Sequence, residues 1–206
     1  MDSTDKLAEI FCKFPGIGPR QAKRFVFYLL KQDPARLSYF ASLITDIKSE
    51  MQTCTACYRF YRKRQGDLCA LCADQNRDDS KLMIVASDTD LESVEKSDSY
   101  AGRYFVLGGL IPILEKNPER LVRITELLTR IGVMSKSITT QCEIIFALSA
   151  NTEGDYTIEQ LMRLIRPLIE STSVTLSTLG RGLSTGSELE YADRDTIRNA
   201  LKNRSR

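Results

Sequence analysis

The sequence predicts a mixed α/β protein: a helical N-terminal module, a four-cysteine knuckle, an α/β core with a mostly parallel sheet, and a short C-terminal helix. Three observations carry that expectation. Apolar residues recur at helical spacing through the first fifty positions, four cysteines follow in two close pairs, and from Lys81 onward short apolar runs alternate with helical stretches.

Residues 3–51 fit three helices. Leu7, Ile10, Phe11 and Phe14 fall at i, i+3, i+4 and i+7, and Ala22, Phe25, Val26, Leu29 and Leu30 repeat the pattern. Leu37, Phe40, Ala41 and Ile44 repeat it again behind Pro34. Residues 52–73 hold the cysteines and have little apolar content of their own, and the polar run 74–80 is expected to be a linker. The apolar runs Leu82–Ala86, Tyr104–Leu107, Glu143–Leu148 and Val174–Leu179 are expected as strands. Helices are expected near 89–96, 118–131, 155–170 and 193–203. Asn117-Pro118 forms an N-cap and first-turn pair, Asp193 with Thr196 marks the last helix, and Pro167 should kink or end the third.

Composition removes several function classes. The chain of 206 residues has no histidine, which excludes Ser-His-Asp and Cys-His catalysis and any imidazole ligand. No apolar run approaches the roughly 20 residues that span a bilayer. The start, MDSTDKLAEIF, resembles neither a signal nor a transit peptide, so a cytoplasmic location is expected. Net charge is only +2, but its distribution is uneven. Residues 10–32 carry Lys13, Arg20, Lys23, Arg24 and Lys31 with no acid, and residues 51–66 carry Arg59, Arg62, Lys63 and Arg64 with none. Residues 88–98 instead hold Asp88, Asp90, Glu92, Glu95 and Asp98 against Lys96. Such separation suggests two kinds of partner surface, although ordinary solvated faces would look the same.

The most specific motif is Cys54-x2-Cys57-x11-Cys69-x2-Cys72. Two such pairs put four thiolates on two tight turns, which suits one structural Zn²⁺ with every coordination position filled. The alternatives are two disulfides, disfavoured in a reducing cytosol, or an iron–sulfur cluster. Cys12 and Cys142 sit in apolar settings and are expected to be buried thiols.

The second motif is Phe14-Pro15-Gly16-Ile17-Gly18, the helix-hairpin-helix pattern. Its amides and the start of the helix from Pro19 would face a DNA phosphate, with Gly16 and Gly18 allowing close approach. Arg20, Arg24, Phe27 and Lys31 then form a stripe at i, i+4, i+7 and i+11, flanked by Lys23. Contacts of this kind are salt-sensitive and blind to base sequence. A tight turn joining two helices is the plainer alternative. Between the cysteine pairs, the run Tyr58 to Arg64 interleaves aromatics with cations, either for single-strand binding or simply to pack the knuckle.

Taken in series, these motifs resemble the RecR family of bacterial recombination mediators. Phe-Pro-Gly-Ile-Gly-Pro-Arg20 and the four cysteines are followed by Tyr100-Ala-Gly-Arg-Tyr-Phe-Val-Leu-Gly-Gly109, then Glu153-Gly154-Asp155, then Gly182-Leu183-Ser-Thr-Gly186-Ser-Glu188-Leu189-Glu190-Tyr191-Ala-Asp193. The resemblance implies a helix-hairpin-helix module over 1–52, a zinc finger and linker over 53–79, a Toprim domain over 80–178 and a C-terminal extension over 179–206. It also implies a ring-like homotetramer able to encircle DNA, acting with RecO-like and RecF-like proteins to load RecA at single-stranded gaps.

The sequence departs from the Toprim enzymes' pattern in two places. Ala86 stands where they carry a first-strand glutamate, and Phe146 to Glu153 lacks their Asp-x-Asp. The remaining oxygens there, Asp90, Glu153 and Asp155, are expected to serve partner binding rather than catalysis. The plainer role for Asp88, Asp90 and Glu92 is to complement a helix dipole, and for Glu153 to cap a helix from Thr157. Gly180 to Gly186 lacks the Gly-Lys-Ser/Thr of a phosphate loop, so a turn exposing Arg181 is expected instead. Two rival functions are a Toprim nuclease, primase or topoisomerase fragment, and a zinc adaptor that binds protein alone.

Overall fold

A computed structural model describes residues 2–115, 117–137, 141–170, 172–180, 182–183, 186, 188–192 and 194–203. Arg181, Ser184, Thr185 and Asp193 lie outside them, so the expected Arg181 turn and the Asp193 helix start do as well. The chain divides into two compact units, residues 1–52 and 53–206.

The first unit holds α1 (Ser3–Cys12), α2 (Pro19–Leu29) and α3 (Pro34–Glu50). Asp2 and Asp33 cap α1 and α3 by accepting the backbone N–H of Asp5 and Arg36 at 2.9 Å each. Proline opens α2 and α3, where its missing N–H costs nothing. Phe11 packs edge-on against Phe14 and Phe25 at 5.8 and 5.7 Å. Only Ala22 and Val26 are buried among the described residues of this unit.

The second unit is built on a four-stranded parallel sheet ordered β4-β3-β5-β6, with β3 spanning Asp78–Val85, β4 Gly102–Val106, β5 Cys142–Ala147 and β6 Val174–Thr178. Strand alternation divides its residues between two cores. On one face Leu82, Ile84, Phe105, Ile144 and Phe146 pack with α6 (Ile124–Ser137) and α7 (Thr152–Ile169). On the other, Met83, Val85, Tyr104 and Val106 pack with Leu91 of α5 (Asp88–Lys96) and with Cys54, Cys57 and Cys69. Burial on both faces explains why these strands read as continuous apolar runs. The last helix, α8, spans Arg194–Lys202.

Several expectations change. The polar run 74–80 is not a free linker: β3 already begins at Asp78, Arg77 pairs with Glu95, and Arg103 Nε donates to Asp79 at 2.6 Å. The helix expected over 118–131 is a 3-10 turn, Pro118–Arg120, followed by α6. Asn117 makes no side-chain cap, because its backbone is not extended as an N-cap requires. Pro167 stays inside α7, which ends two residues later at Ile169. Cys142 is buried as expected, whereas Cys12 is exposed at the end of a helix that buries no residue.

Candidate metal centre and nucleic-acid interface

The two cysteine turns bring four sulfurs within 4.8 Å of one another. Cys57 Sγ and Cys69 Sγ are 3.6 Å apart. A tetrahedron with metal–sulfur bonds of 2.3 Å has edges of about 3.8 Å, so the donor set fits a four-sulfur ion. The Cys69 N–H points at Cys54 Sγ at 3.4 Å, and the Cys72 and Ala73 N–H groups both donate to the Cys69 carbonyl. Cys54, Cys57 and Cys69 are buried and Cys72 is half-buried. Hydrogen bonds from Cys57 and its neighbours hold the Cys54 thiol far below the usual range, while the same contact pushes Cys57 up. Four crowded thiols cannot all ionise unless a cation balances them.

Short strands β1 (Met51–Thr53) and β2 (Phe60–Arg62) flank the first cysteine turn, and the four-residue helix α4 (Ala70–Ala73) carries Cys72 of the second. The centre is tied firmly to the sheet. Val106 N–H donates to the Cys57 carbonyl at 2.8 Å, and Arg103 Nη1 reaches the Leu71 and Cys72 carbonyls at 3.0 and 3.2 Å. Tyr58 has a positive φ of 62°, a strain that glycine would avoid. Its ring is held at 5.3 Å from Phe105, under the Arg123 guanidinium at 5.6 Å. Tyr58 thus packs against the core that α6 and α7 cover and Tyr61 against the cysteine side, whereas Phe60 is exposed. Arg123 was not apparent as a structural residue from sequence, since nothing local marks it.

The hairpin joins α1 to α2. Gly16 adopts φ +74°, which a side chain would strain. Gly18 is the N-cap of α2 in an ordinary extended conformation, and a Cβ there would meet nothing within 4 Å. Its lack of a side chain is therefore not demanded by the chain itself, but leaves open space over the helix start. No side chain caps α2, so the first-turn amides have no intrahelical partner. Arg20, Lys23 and Arg24 are exposed beside them. Lys31 lies beyond the helix, which stops at Leu29, so its i+11 place in the stripe does not hold.

The acids expected to bind partners separate. Asp90 is committed to α5: its Oδ2 accepts from Ser87 N at 2.9 Å while Ser87 Oγ accepts from Asp90 N at 3.3 Å, a reciprocal capping box. Asp88 Oδ1 accepts the Phe60 N–H at 2.8 Å. Glu153 and Asp155 are exposed in the first turn of α7. That helix begins at Thr152, not Thr157, and Asn151 caps it by accepting from Gly154 N at 2.8 Å. Glu153 is thus no cap. Thr157, the buried polar side chain among the described residues, donates to the Glu153 carbonyl and accepts from Ile111 N.

Open α/β sheets bind ligands at the carboxyl edge where strand order reverses, here between β3 and β5. At that edge stands Ala86, 8% exposed, and a Cβ on Gly154 would collide with the Ser149 carbonyl. Among the described residues, Asp90, Glu153 and Asp155 do not gather into one ligand group.

Family models agree with this architecture. A helix-hairpin-helix model of RecR matches residues 4–48, a Toprim model matches 80–179, and a RecR C-terminal model matches 182–205. A protein of Chloroflexus aurantiacus named recombination protein RecR is 38% identical over 97% of this chain and 92% of its own length. The chain belongs to the RecR family. Relatives of the same name from Paenarthrobacter aurescens and Legionella pneumophila are each 36% identical, over 98% and 100% of this chain and 96% and 97% of theirs. Membership places the hairpin, the four-cysteine cluster and the parallel sheet in one RecR architecture. Among the described residues, no helix is long and apolar enough to cross a membrane.

Proposed function

We propose that this chain is a non-catalytic recombination mediator in DNA repair, acting in the cytoplasm. The observation that carries the reading is the hairpin. Gly16 and Gly18 leave open space over an uncapped helix start, Arg20, Lys23 and Arg24 surround it, and no acid lies between residues 10 and 32. An amide nest with cations beside it binds phosphate without reading bases. Lys31, exposed in the turn after α2, is a further cation of the proposed DNA-binding set.

One structural Zn²⁺ held by Cys54, Cys57, Cys69 and Cys72 completes the finger, because the sulfur spacing suits it and no position is left for water. Self-association into a ring-shaped tetramer is supported by the N-terminal helices. Phe40, Leu43, Ile44 and Ile47 line one face of α3 and are all exposed, and an apolar hollow of about 400 Å³ lies among Phe11, Phe14, Phe25, Tyr28 and Phe40. Unpartnered apolar surface of this extent marks an interaction site. Glu153 and Asp155 are the acids left to steer RecO-like or RecF-like proteins, and through them RecA loading at single-stranded gaps. The domain limits that go with this reading are 1–52, 53–79, 80–178 and 179–206.

The test is a pair of charge reversals, Arg20→Glu and Arg24→Glu. Affinity should fall for all DNA sequences alike, and the slope of log affinity against log salt should drop by about one per lost phosphate contact. Melting temperature should not move. Loss confined to particular sequences would show base reading and overturn the account.

A further inference from the structure

We propose that the cysteine finger carries a second DNA site, a basic groove that takes the backbone of single-stranded DNA. The proposal rests on the DNA-binding reading above but not on the hairpin. A hollow of about 340 Å³ is lined by Arg59, Tyr61, Arg62, Arg64, Gln65 and Leu68, and among the described residues no carboxylate lines it. Residues 51–66 contain no acid at all. Arg59 Nε is buried and has no hydrogen-bond partner among the described residues. A buried guanidinium N–H left unpaired is costly, and an arriving anion would offset that cost.

The groove's chemistry favours a phosphodiester over an acidic peptide. Guanidinium forks match phosphate oxygens in pairs, and an aromatic stands beside them. Phe60 is 53% exposed, and its backbone is fixed by the 2.8 Å bond from its N–H to Asp88. Along β2, Phe60 and Arg62 share one side of the strand. An exposed ring next to a cation stacks on an unpaired base, which a duplex does not offer. Single strand is therefore the favoured form.

The experiment titrates fluorescent oligo(dT) and a duplex of equal length with full-length wild type, Arg64→Glu, Phe60→Ala and the Arg20→Glu/Arg24→Glu double variant. Metal content and melting temperature are checked for each. Arg64→Glu and Phe60→Ala should each weaken oligo(dT) binding about five- to tenfold, the size expected for one stacked base or one reversed charge. Duplex affinity should change less than about twofold, because stacking needs an unpaired base. The hairpin variant should weaken both. If the finger variants weaken duplex and oligo(dT) equally, the groove is a general phosphate contact and the single-strand proposal fails. Unchanged binding to both also overturns it, as does a groove that binds poly-glutamate in place of oligo(dT). Should Arg64→Glu misfold, Phe60→Ala alone decides. Wild type that binds no DNA would instead remove the underlying DNA reading.

Discussion

The two units of this protein bury their side chains very differently. In the first, three helices bury Ala22 and Val26 alone among the described residues, and the 17-residue α3 buries nothing. In the second, a four-stranded sheet is covered on both faces, by α6 and α7 on one and by α5 with the cysteine finger on the other. Helical periodicity says only that a face is apolar; it does not say that the same chain covers it. The first unit has the pattern of a folded module but leaves its apolar faces exposed. The second makes its own core, and treats the finger as part of that core.

Metal removal is the strongest way to break this contrast. Cys54, Cys57 and Cys69 share a core with Met83, Val85, Tyr104 and Val106, so losing the ion should loosen the sheet and not merely the finger. Cys54→Ser, or a strong chelator, is expected to cost more than about 4 kcal/mol, the range in which loss of a metal falls. Thermal melting with parallel metal analysis measures it. A metal-free protein that melts unchanged would show the finger to be an appendage.

A matched pair of truncations sharpens the contrast. Leu161→Ala, at 0% exposure in α7, should cost about 2–5 kcal/mol. Ile44→Ala, on the exposed face of α3, should cost less than about 0.5 kcal/mol in the isolated chain. It should instead weaken self-association in sedimentation measurements, with the melting of the sheet unit unchanged. If both substitutions lower stability alike and leave the mass unaltered, the first unit is self-contained after all.

The smallest effect concerns alkaline pH. Burial raises the phenols of Tyr100 and Tyr104, whose rings meet at 5.1 Å on the finger side of the sheet. In the unfolded chain they release protons near pH 10, whereas the folded protein holds them. The stability they contribute is complete below pH 10 and is lost as pH rises through the folded values. Urea melts across this window should show the decline, and Tyr104→Phe should make it shallower. The first unit has no comparably buried phenol among its described residues, so its helices should not share the trend.

Much of the candidate site was legible because its signals are local. Cysteine spacing alone places four sulfurs on two turns, and Gly16 announces its positive φ. Alternating apolar runs located all four sheet strands, though β3 starts earlier than its apolar stretch because Arg77 and Asp79 find partners distant in sequence. Lys31 failed to join the stripe because its i+11 place assumes a helix that continues, and α2 stops at Leu29. Of the two roles the sequence offers Asp90, partner binding or helix N-terminal acid, its reciprocal bonds with Ser87 give it the second.

The sequence by itself determined most of the element types, the parallel sheet, the cysteine pairs and the hairpin, the sheet from the alternation of strands with helices and the two motifs from spacing within a few residues. Only the tertiary structure decided that the finger is half of a core, that the Tyr58 ring lies between Phe105 and Arg123 on a backbone of positive φ, and that Arg59 Nε is buried with no hydrogen-bond partner among the described residues. It also decided which acids stay exposed. These properties depend on atoms far apart in the chain, and no local pattern records which distant surface will take a residue out of water.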